Sequence, residues 1–345
     1  MSKKVVISII LALLTLAVPA GASAAEGALV FSKITLPRPD GGLFMYRHRH
    51  TTQLTIDPTD EEPSFSADGR TIAFVRKADI WTMRADGSHL RQLTSGEEVD
   101  SRPQIAPNGR YVLFERRAFR KRGRDLYTID LRGRVVTPIA ATLAKEHEAA
   151  ISPDGRQIVY VRRGNDGQDD LWSVRPSGTG VRRLTRTSRV GEFAPRFLGR
   201  KIVFSRGSKR RIPSSYGAIY SMDRRGRHIR TVVRRAHGVY LEDVNAPTRA
   251  ILFARGRGLW LKRLGGPDRK IVSPPKRGST TGVFSSDGRR IAASKAEPWE
   301  ESLSVFDASS GRFIDDVAVV LSLEGGEHNS ILGRRFAWQP VLNHR

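Results

Sequence analysis

Acidic side chains recur about once per repeat along the chain, each time just before a short apolar segment. Carboxylates that gather at one place can hold a metal ion or a cationic segment of a partner protein. If the apolar segments are equivalent strands of a closed ring, these acids surround its central channel. The residues predicted to form this partner-binding channel mouth are Glu61, Glu62, Asp100, Glu148, Glu192, Glu242 and Glu327. The alternative is that the carboxylates neutralise nearby arginines, among them Arg102 and Arg335, and cap loops.

Basic side chains outnumber acidic ones, with 59 Lys and Arg against 35 Asp and Glu and a formal net charge of +24. Such a charge favours binding to anions in a salt-dependent way. Two basic clusters fall in predicted loops between the second and third strands of a repeat, on the same face as the channel mouth. The predicted polyanion-binding basic rim consists of Arg116, Arg117, Arg120, Lys121, Arg122, Lys209, Arg210 and Arg211. The alternative is a solvated basic surface that reflects an arginine-rich composition.

Residue patterns typical of catalysis are absent from the sequence. The chain has no Gly-x-Ser-x-Gly motif, no His-Glu-x-x-His motif and no cysteine. These patterns would indicate a serine nucleophile, a zinc protease or a thiol nucleophile. His147, His237 and His328 could converge as metal ligands, which leaves a propeller lyase or hydrolase with a metal at the channel mouth as the alternative function. The main prediction is a non-enzymatic protein with no catalytic residue, no metal and no cofactor.

Short β-strands are the elements that would position these residues. Between Glu62 and Thr94 apolar segments alternate with turns. Asp-Gly in such a turn indicates a hairpin, because glycine readily adopts the positive φ that tight turns need. Four antiparallel strands in about 35 residues is the size of one propeller blade. The predicted strands of this unit are Pro63–Ser66, Thr71–Arg76, Asp79–Arg84 and Leu90–Thr94.

The same unit repeats along the chain. The turns that precede its second strand are 40, 46, 44, 49 and 40 residues apart, which is the period of a blade. The third strand repeats an aromatic residue, as in Ile80-Trp81 and Leu126-Tyr127, which is predicted to pack in the core. Copies of the second strand lie at Arg70–Arg76, Arg110–Arg116, Arg156–Arg162, Arg200–Arg206, Arg249–Arg255 and Arg289–Lys295.

Each end of the chain supplies only part of a blade. Gly27–Lys33 is a copy of the second strand, and Arg335–Pro340 reads as a first strand with Trp338 at the position of Phe65. Joining the two ends closes the ring and removes free sheet edges. The sequence therefore predicts an all-β, closed β-propeller of four-stranded antiparallel blades. We expect seven blades, or six if the Tyr240–Val272 unit is irregular.

Residues 1–25 have the pattern of a secretory signal peptide: a basic start, an apolar run of 14 residues at Val5–Val18 and small residues at Ala22-Ser23-Ala24. The run is shorter than the roughly 20 residues that cross a membrane. We therefore expect an exported chain, periplasmic or extracellular, in which residues 26–345 form a single monomeric propeller domain. Without Lys3 and Lys4 the net charge of +24 becomes +22. Export makes an envelope protein or an anionic cell-wall polymer the expected partner, rather than nucleic acid.

Three motifs resemble the propeller repeat of the TolB family. They are Phe-Ser-Ala-Asp-Gly-Arg at Phe65–Arg70, Ser-Pro-Asp-Gly-Arg at Ser152–Arg156, and Arg-x-Leu-Thr at Arg91–Thr94 and Arg182–Thr185. The resemblance covers nearly all of the chain after residue 25. It implies a TolB-like periplasmic scaffold, since TolB binds a peptidoglycan-associated lipoprotein through its propeller. TolB differs in having six blades and an α/β domain ahead of them, and similar propellers also serve as accessory domains of peptidases.

Overall fold

The protein is described by a computed structural model that covers residues 27–35, 40–117, 123–132, 135–140, 142, 144–164, 166–207, 216–273, 278–296, 300–321 and 332–338. These residues form 28 β-strands and no helix. The strands make seven four-stranded antiparallel sheets, called blades 1 to 7 in chain order. The predicted seven-bladed propeller is confirmed. The six-bladed alternative is wrong, because the Tyr240–Val272 unit forms a regular blade.

Within a blade the four strands follow one another across the sheet, except that blade 1 begins with the last strand of the chain. Blade 1 contains β28 (Leu332–Trp338), β1 (Leu29–Thr35), β2 (Asp40–Arg47) and β3 (His50–Gln53), and blade 2 contains β4 (Glu61–Phe65), β5 (Thr71–Arg76), β6 (Asp79–Arg84) and β7 (Arg91–Gln92). Blade 3 contains β8 (Val99–Ile105), β9 (Tyr111–Arg117), β10 (Asp125–Asp130) and β11 (Val136–Ala140). Blade 4 contains β12 (Glu146–Ile151), β13 (Ile158–Arg163), β14 (Asp169–Val174) and β15 (Arg182–Arg183). Blade 5 contains β16 (Gly191–Leu198), β17 (Lys201–Gly207), β18 (Tyr216–Asp223) and β19 (Arg230–His237). Blade 6 contains β20 (Tyr240–Asn245), β21 (Ala250–Arg255), β22 (Gly258–Arg263) and β23 (Asp268–Val272). Blade 7 contains β24 (Ser279–Phe284), β25 (Arg290–Ala296), β26 (Glu300–Asp307) and β27 (Phe313–Leu321).

The turn between the first and second strands is wider than the Asp-Gly pair alone indicates. The backbone N–H of Ser66 donates to the carbonyl of Thr71, so four residues form the loop. Asp68 Oδ1 accepts hydrogen bonds from Ser66 Oγ at 2.5 Å and from Arg70 N at 3.1 Å. Gly69 has a φ of 66°, which an L-residue with a side chain rarely adopts. The glycine and the aspartate are therefore both needed, one for the backbone and one to bind the loop.

The hydrophobic core lies between neighbouring blades. On β5, Ile72 and Phe74 pack against Val30 of blade 1, whereas Ala73 and Val75 pack against residues of blade 3 such as Phe114. A strand that is covered on both faces needs apolar residues at successive positions, which explains the absence of alternation in the sequence. The third-strand aromatics stack on second-strand rings in several blades, for example Phe114 on Tyr127 with centroids 5.9 Å apart. The prediction that they belong to the core is consistent with this packing.

The ring is closed by β28, which pairs antiparallel with β1. Trp338 lies opposite Leu29, just as Phe65 lies opposite Ile72 in blade 2. The sequence therefore predicted both the closing strand and its register. Residues 1–26 are outside the described residues, so the signal peptide and the domain boundary stay predictions.

The first strand of each blade faces the axis of the ring. First strands of neighbouring blades touch, as β12 does with β16 and β16 with β20. This arrangement places side chains from consecutive blades around one channel. Among the residues that the structure describes, no helix is long and apolar enough to span a membrane.

Candidate functional site

The first strands of blades 2 to 5 each contain a β-bulge, where pairing with the second strand shifts register. One non-glycine residue at each bulge has a positive φ: Glu62 at 53°, Arg102 at 56°, Glu148 at 52° and Ala194 at 47°. The left-handed conformation costs an L-residue roughly 1–2 kcal/mol. Bulges redirect side chains, and backbone strain of this kind concentrates at functional sites. The channel lining is therefore built on four equivalent strained positions.

Carboxylates connect these bulges from one blade to the next. Glu62 accepts a hydrogen bond from the backbone N–H of Arg102, and Glu148 Oε2 accepts one from Ala194 N at 2.7 Å. In blade 3 the bulge residue is Arg102, which has no carboxylate. Glu115 of β9 replaces it, with Oε1 accepting from Glu148 N at 2.9 Å and from Arg102 Nη1 at 3.1 Å. We call Glu62, Glu115 and Glu148 the channel belt.

A second set of carboxylates forms buried ion pairs with an arginine that is the last or the last but one residue of a second strand. Asp60 is joined to Arg76 by hydrogen bonds of 2.6 and 2.7 Å, and Asp100 to Arg116 by bonds of 2.7 and 2.8 Å. Each carboxylate residue is 1% exposed. These bidentate pairs have the geometry in which arginine binds carboxylate most strongly. We call a buried ion pair of this kind, bidentate or not, together with its aromatic neighbours, a clamp.

Aromatic rings also lie close to each of these guanidinium groups. The Cζ of Arg116 is 5.3 Å from the centroid of the Phe114 ring and 5.4 Å from that of Tyr127. Cation–π attraction of this kind is stronger where water is excluded. Related contacts occur at Arg76, Arg162 and Arg206, which pair with Asp60, Glu146 and Glu192.

Burial changes the protonation of two clamp carboxylates. Burial raises the pKa of Glu192 to about 7, although Arg206 Nε lies 2.9 Å from its Oε1 and opposes the change. Burial also raises the pKa of Glu146 to about 7, and the nearby carboxyl group of Asp125 adds to the rise. These groups therefore bind a proton near neutral pH, unlike an exposed glutamate.

Blade 6 continues the pattern with two acids on β20. Glu242 Oε2 accepts a hydrogen bond from Thr281 Oγ1 at 2.8 Å, and Asp243 Oδ2 accepts one from Phe284 N at 2.8 Å. Both bonds reach the first strand of blade 7. Burial raises the pKa of Glu242 to about 7 and also raises that of Asp243, whereas the charge of Arg196 lowers both.

The channel contains a cavity of about 240 Å³. It is lined by charged and polar side chains of blades 3 to 6, with three alanines between them. Two guanidinium groups and two carboxylates face this space, so the cavity has both signs of charge. The polar lining residues are Arg102, Gln104, Glu115, Glu148, Arg196 and Tyr240.

The acids predicted at the channel mouth occupy different environments. Glu62, Glu148 and Glu242 lie on the first strands of blades 2, 4 and 6, each bonded to the next blade, and Glu148 lines the cavity. Asp100 and Glu192 are buried in clamps, and Glu61 is exposed at the start of β4. Glu327 lies outside the described residues. Their binding of a partner stays a prediction.

The predicted basic rim is described only at its beginning. Arg116 is held in a clamp by Asp100, whereas Arg117 is exposed at the end of β9. The other predicted residues, Arg120, Lys121, Arg122, Lys209, Arg210 and Arg211, lie outside the described residues. Polyanion binding by this rim therefore stays a prediction.

The histidines considered as metal ligands are partly described. The Nδ1 of His147 is 3.6 Å from Glu148 Oε1, and its Nε2 is 3.7 Å from Asp169 Oδ1. His237 lies at the end of the outer strand β19, and His328 is outside the described residues. Within the part of the chain that is described, no three His, Cys, Asp or Glu residues are grouped so that they could hold a metal ion.

Several channel residues were missed by sequence reasoning. Glu115, Arg196 and Tyr240 line the cavity but were not predicted to belong to a site. Glu115 lies within the second-strand repeat RYVLFER, where most other copies have an aliphatic or small residue. A charged residue at this position of the repeat was a signal in the sequence that Glu115 has a different role. Arg196 follows the bulge at the position of Gln104 and had no comparable signal.

Comparison with known proteins agrees with this architecture. No family model matches the chain. Among solved structures, the chain is similar to TolB from Acinetobacter baumannii, with 17% identity, a TM-score of 0.57, and coverage of 91% of this chain and 83% of that one. The fold is a TolB-like β-propeller. Identity at this level establishes the fold alone.

Two enzymes share the same propeller architecture. A puromycin hydrolase is similar with 15% identity and a TM-score of 0.68, over 87% of this chain and 53% of that one. The chain thus spans about half the length of that hydrolase. An oligogalacturonate lyase, solved in complex with manganese, is similar with 14% identity and a TM-score of 0.57, over 84% of this chain and 85% of that one.

Proposed function

We propose that this protein is a non-enzymatic, exported scaffold that binds a protein or a polyanionic polymer of the cell envelope, as a TolB-like propeller. The binding face is the one that carries the channel mouth. By strand direction, the starts of the first strands and the ends of the second strands lie on this face. Glu61, Lys77, Glu97 and Arg117 are exposed there, so the face offers both signs of charge to a partner.

The observation that carries this proposal is the channel belt. Because Glu62 and Glu148 each hold a backbone N–H of the following blade, their positions are set before any partner arrives. Binding to a preorganised surface loses less conformational entropy than binding to mobile side chains. The clamps add rigidity behind the belt. Such a ring is suited to presenting fixed charges to a partner.

A pull-down from isolated envelope fractions, eluted with increasing salt, tests this function. We expect the affinity for a bound polymer to fall steeply as the salt concentration rises. For nucleic acid, the slope of log affinity against log salt is typically about −0.7 to −0.9 per neutralised phosphate. Arg117→Ala should reduce that slope, whereas Glu61→Gln should weaken a protein partner that is retained at high salt. Arg263→Ala is the matched control, because Arg263 is exposed at the end of β22, on the opposite face.

Two outcomes would contradict the proposal. The first is that no polymer and no discrete envelope protein is retained by the unmodified protein. The second is that Arg263→Ala lowers retention as much as Arg117→Ala does. In that case the bulk positive charge, and not the channel-mouth face, causes the binding.

A further inference from the structure

Two side chains that line the channel cavity have N–H or O–H groups that make no hydrogen bond with a described residue. Arg196 has five N–H groups. Within the described residues its hydrogen bond is the one from Nη1 to the carbonyl oxygen of Pro195, at 3.0 Å. The Tyr240 hydroxyl has no hydrogen-bond partner in the part of the chain that the structure describes. Arg102 differs, because Glu115 already accepts from its guanidinium. Arg196 and Tyr240 are thus the groups with which an anion in the cavity would bond.

Carboxylates lie near these donors, and Glu148 lines the cavity together with them. Glu242 uses Oε2 to accept from Thr281, and its Oε1 makes no hydrogen bond with another described residue. Burial raises the pKa of Tyr240, and the charges of Glu148 and Glu242 add to the rise, whereas those of Arg196 and Arg102 oppose it. Arg196, Tyr240 and Glu148 all line the cavity, so hydrogen-bond donors and a carboxylate acceptor meet there.

The balance of charge restricts the ligand. The positive charges of Arg102 and Arg196 are matched by the negative charges of Glu115 and Glu148 in the cavity lining. A multiply charged anion would meet the carboxylates, and a simple cation would meet the two guanidinium groups. A molecule with separated positive and negative groups and no net charge satisfies both sides.

The volume is sufficient for such a ligand. The 240 Å³ of the cavity is several times the share of about 30 Å³ that one water molecule takes up in the liquid. The cavity therefore has room for a molecule of the size of a small amino acid.

We propose that this cavity is a binding site for a small zwitterion of the amino-acid type. Its carboxylate lies against the guanidinium of Arg196 and the hydroxyl of Tyr240, and its ammonium group faces Glu148. A guanidinium is the preferred partner of a planar carboxylate, because two parallel N–H groups can bond to both oxygens. The inference does not rest on the envelope-scaffold function, since it concerns a ligand inside the ring.

Isothermal titration calorimetry of the purified protein tests this site, with L-alanine as the probe. N-acetyl-L-alanine lacks the ammonium charge, and L-alaninamide lacks the carboxylate. We expect L-alanine to bind and each analogue to bind at least about tenfold more weakly, the loss typical of one charged hydrogen bond. Tyr240→Phe should weaken L-alanine by a similar factor, and Arg196→Gln should weaken it more.

Tyr220→Phe is the matched control, because Tyr220 lies on the third strand β18, away from the channel. It should leave the affinity unchanged. The proposal is overturned if L-alanine fails to bind to folded protein, or if the acetylated probe binds equally well. It is also overturned if Tyr240→Phe, with an unchanged unfolding temperature, retains full affinity.

Discussion

At the residue scale, the clamps allow charged side chains to be buried, because each charge has a partner. Arg116 is held by a carboxylate at its tip, and its Cζ lies 5.3 and 5.4 Å from the centroids of two aromatic rings. Removing both charges of a buried pair is often tolerated, whereas removing one leaves the other uncompensated. The contributions of Asp100 and Arg116 to stability should therefore be measured together, as those of a pair.

Asp100→Ala should destabilise the fold by about 3 kcal/mol, because it leaves the Arg116 guanidinium without its buried partner. The double variant Asp100→Ala/Arg116→Met should recover more than half of that loss. Urea unfolding of the two single variants and the double variant measures the coupling. Equal losses for Asp100→Ala and for the double variant would mean that the pair does not act as a unit.

Stability should also depend on pH through Glu192. Its pKa is about 7 in the folded protein and about 4.5 in an unfolded chain, so the folded state binds more protons between these values. The free energy of unfolding should therefore fall as pH rises through this window. The slope for one such group is at most about 1.4 kcal/mol per pH unit.

Glu192→Gln removes this titration and should flatten the pH dependence of urea unfolding between about pH 5 and pH 7. Glu97→Gln is a suitable control, because Glu97 is exposed and has no comparable burial. A slope that is the same in the Glu192 variant and in the unmodified protein would contradict the assignment.

At the element scale, the bulged first strands combine strain with hydrogen bonding. The backbone of Ala194 adopts a positive φ, and its N–H is bonded to Glu148. Glycine adopts this conformation without the steric cost that alanine meets. Substitution by glycine should therefore have different effects at bulged and at regular strand positions.

Ala194→Gly should be at least about 1 kcal/mol less destabilising than Ala73→Gly. Both alanines are buried on strands, but Ala73 lies on the regular strand β5. Chemical denaturation of the two variants gives the comparison. If Ala194→Gly costs as much as Ala73→Gly, the strain at the bulge is not relieved by glycine.

Much of the element-scale description was predictable from sequence, and the bulges explain where prediction stopped. The strands Thr71–Arg76 and Asp79–Arg84 were predicted with the bounds that the structure has, since apolar pattern and turn residues define them. The environments of the acidic side chains were not predicted. Asp100 lies two residues before the bulge residue of blade 3 and is buried in a clamp, whereas Glu148 is itself the bulge residue of blade 4 and lines the cavity. A bulge shifts the facing of side chains, and the repeat period alone does not locate it.

At the scale of the whole molecule, closure depends on one strand from each end of the chain. β28 is the first strand of blade 1, and it also contacts β4 of blade 2. Without it, β1 has an unpaired edge, and apolar residues such as Val30 and Phe31 lose cover. Exposed edges promote association between molecules.

Removing residues 332–345 should therefore lower the unfolding temperature and cause association, detected by light scattering. Removing residues 339–345 is the control, because it leaves β28 complete. A monomeric product with unchanged unfolding temperature after the longer deletion would show that closure contributes little to stability.

The pairing of Leu29 with Trp338 also sets a time constraint during synthesis, since 309 positions separate the two partners. At about 5–20 residues per second, a ribosome takes roughly 15–60 seconds to produce the last strand after the first. Throughout that interval β1 lacks its neighbour, and the ring cannot close before β28 has been synthesised. The protein is therefore expected to reach its native state only after this last strand has become available for pairing. Until then, its earliest strand depends on chaperones or on slow collapse to avoid mispairing.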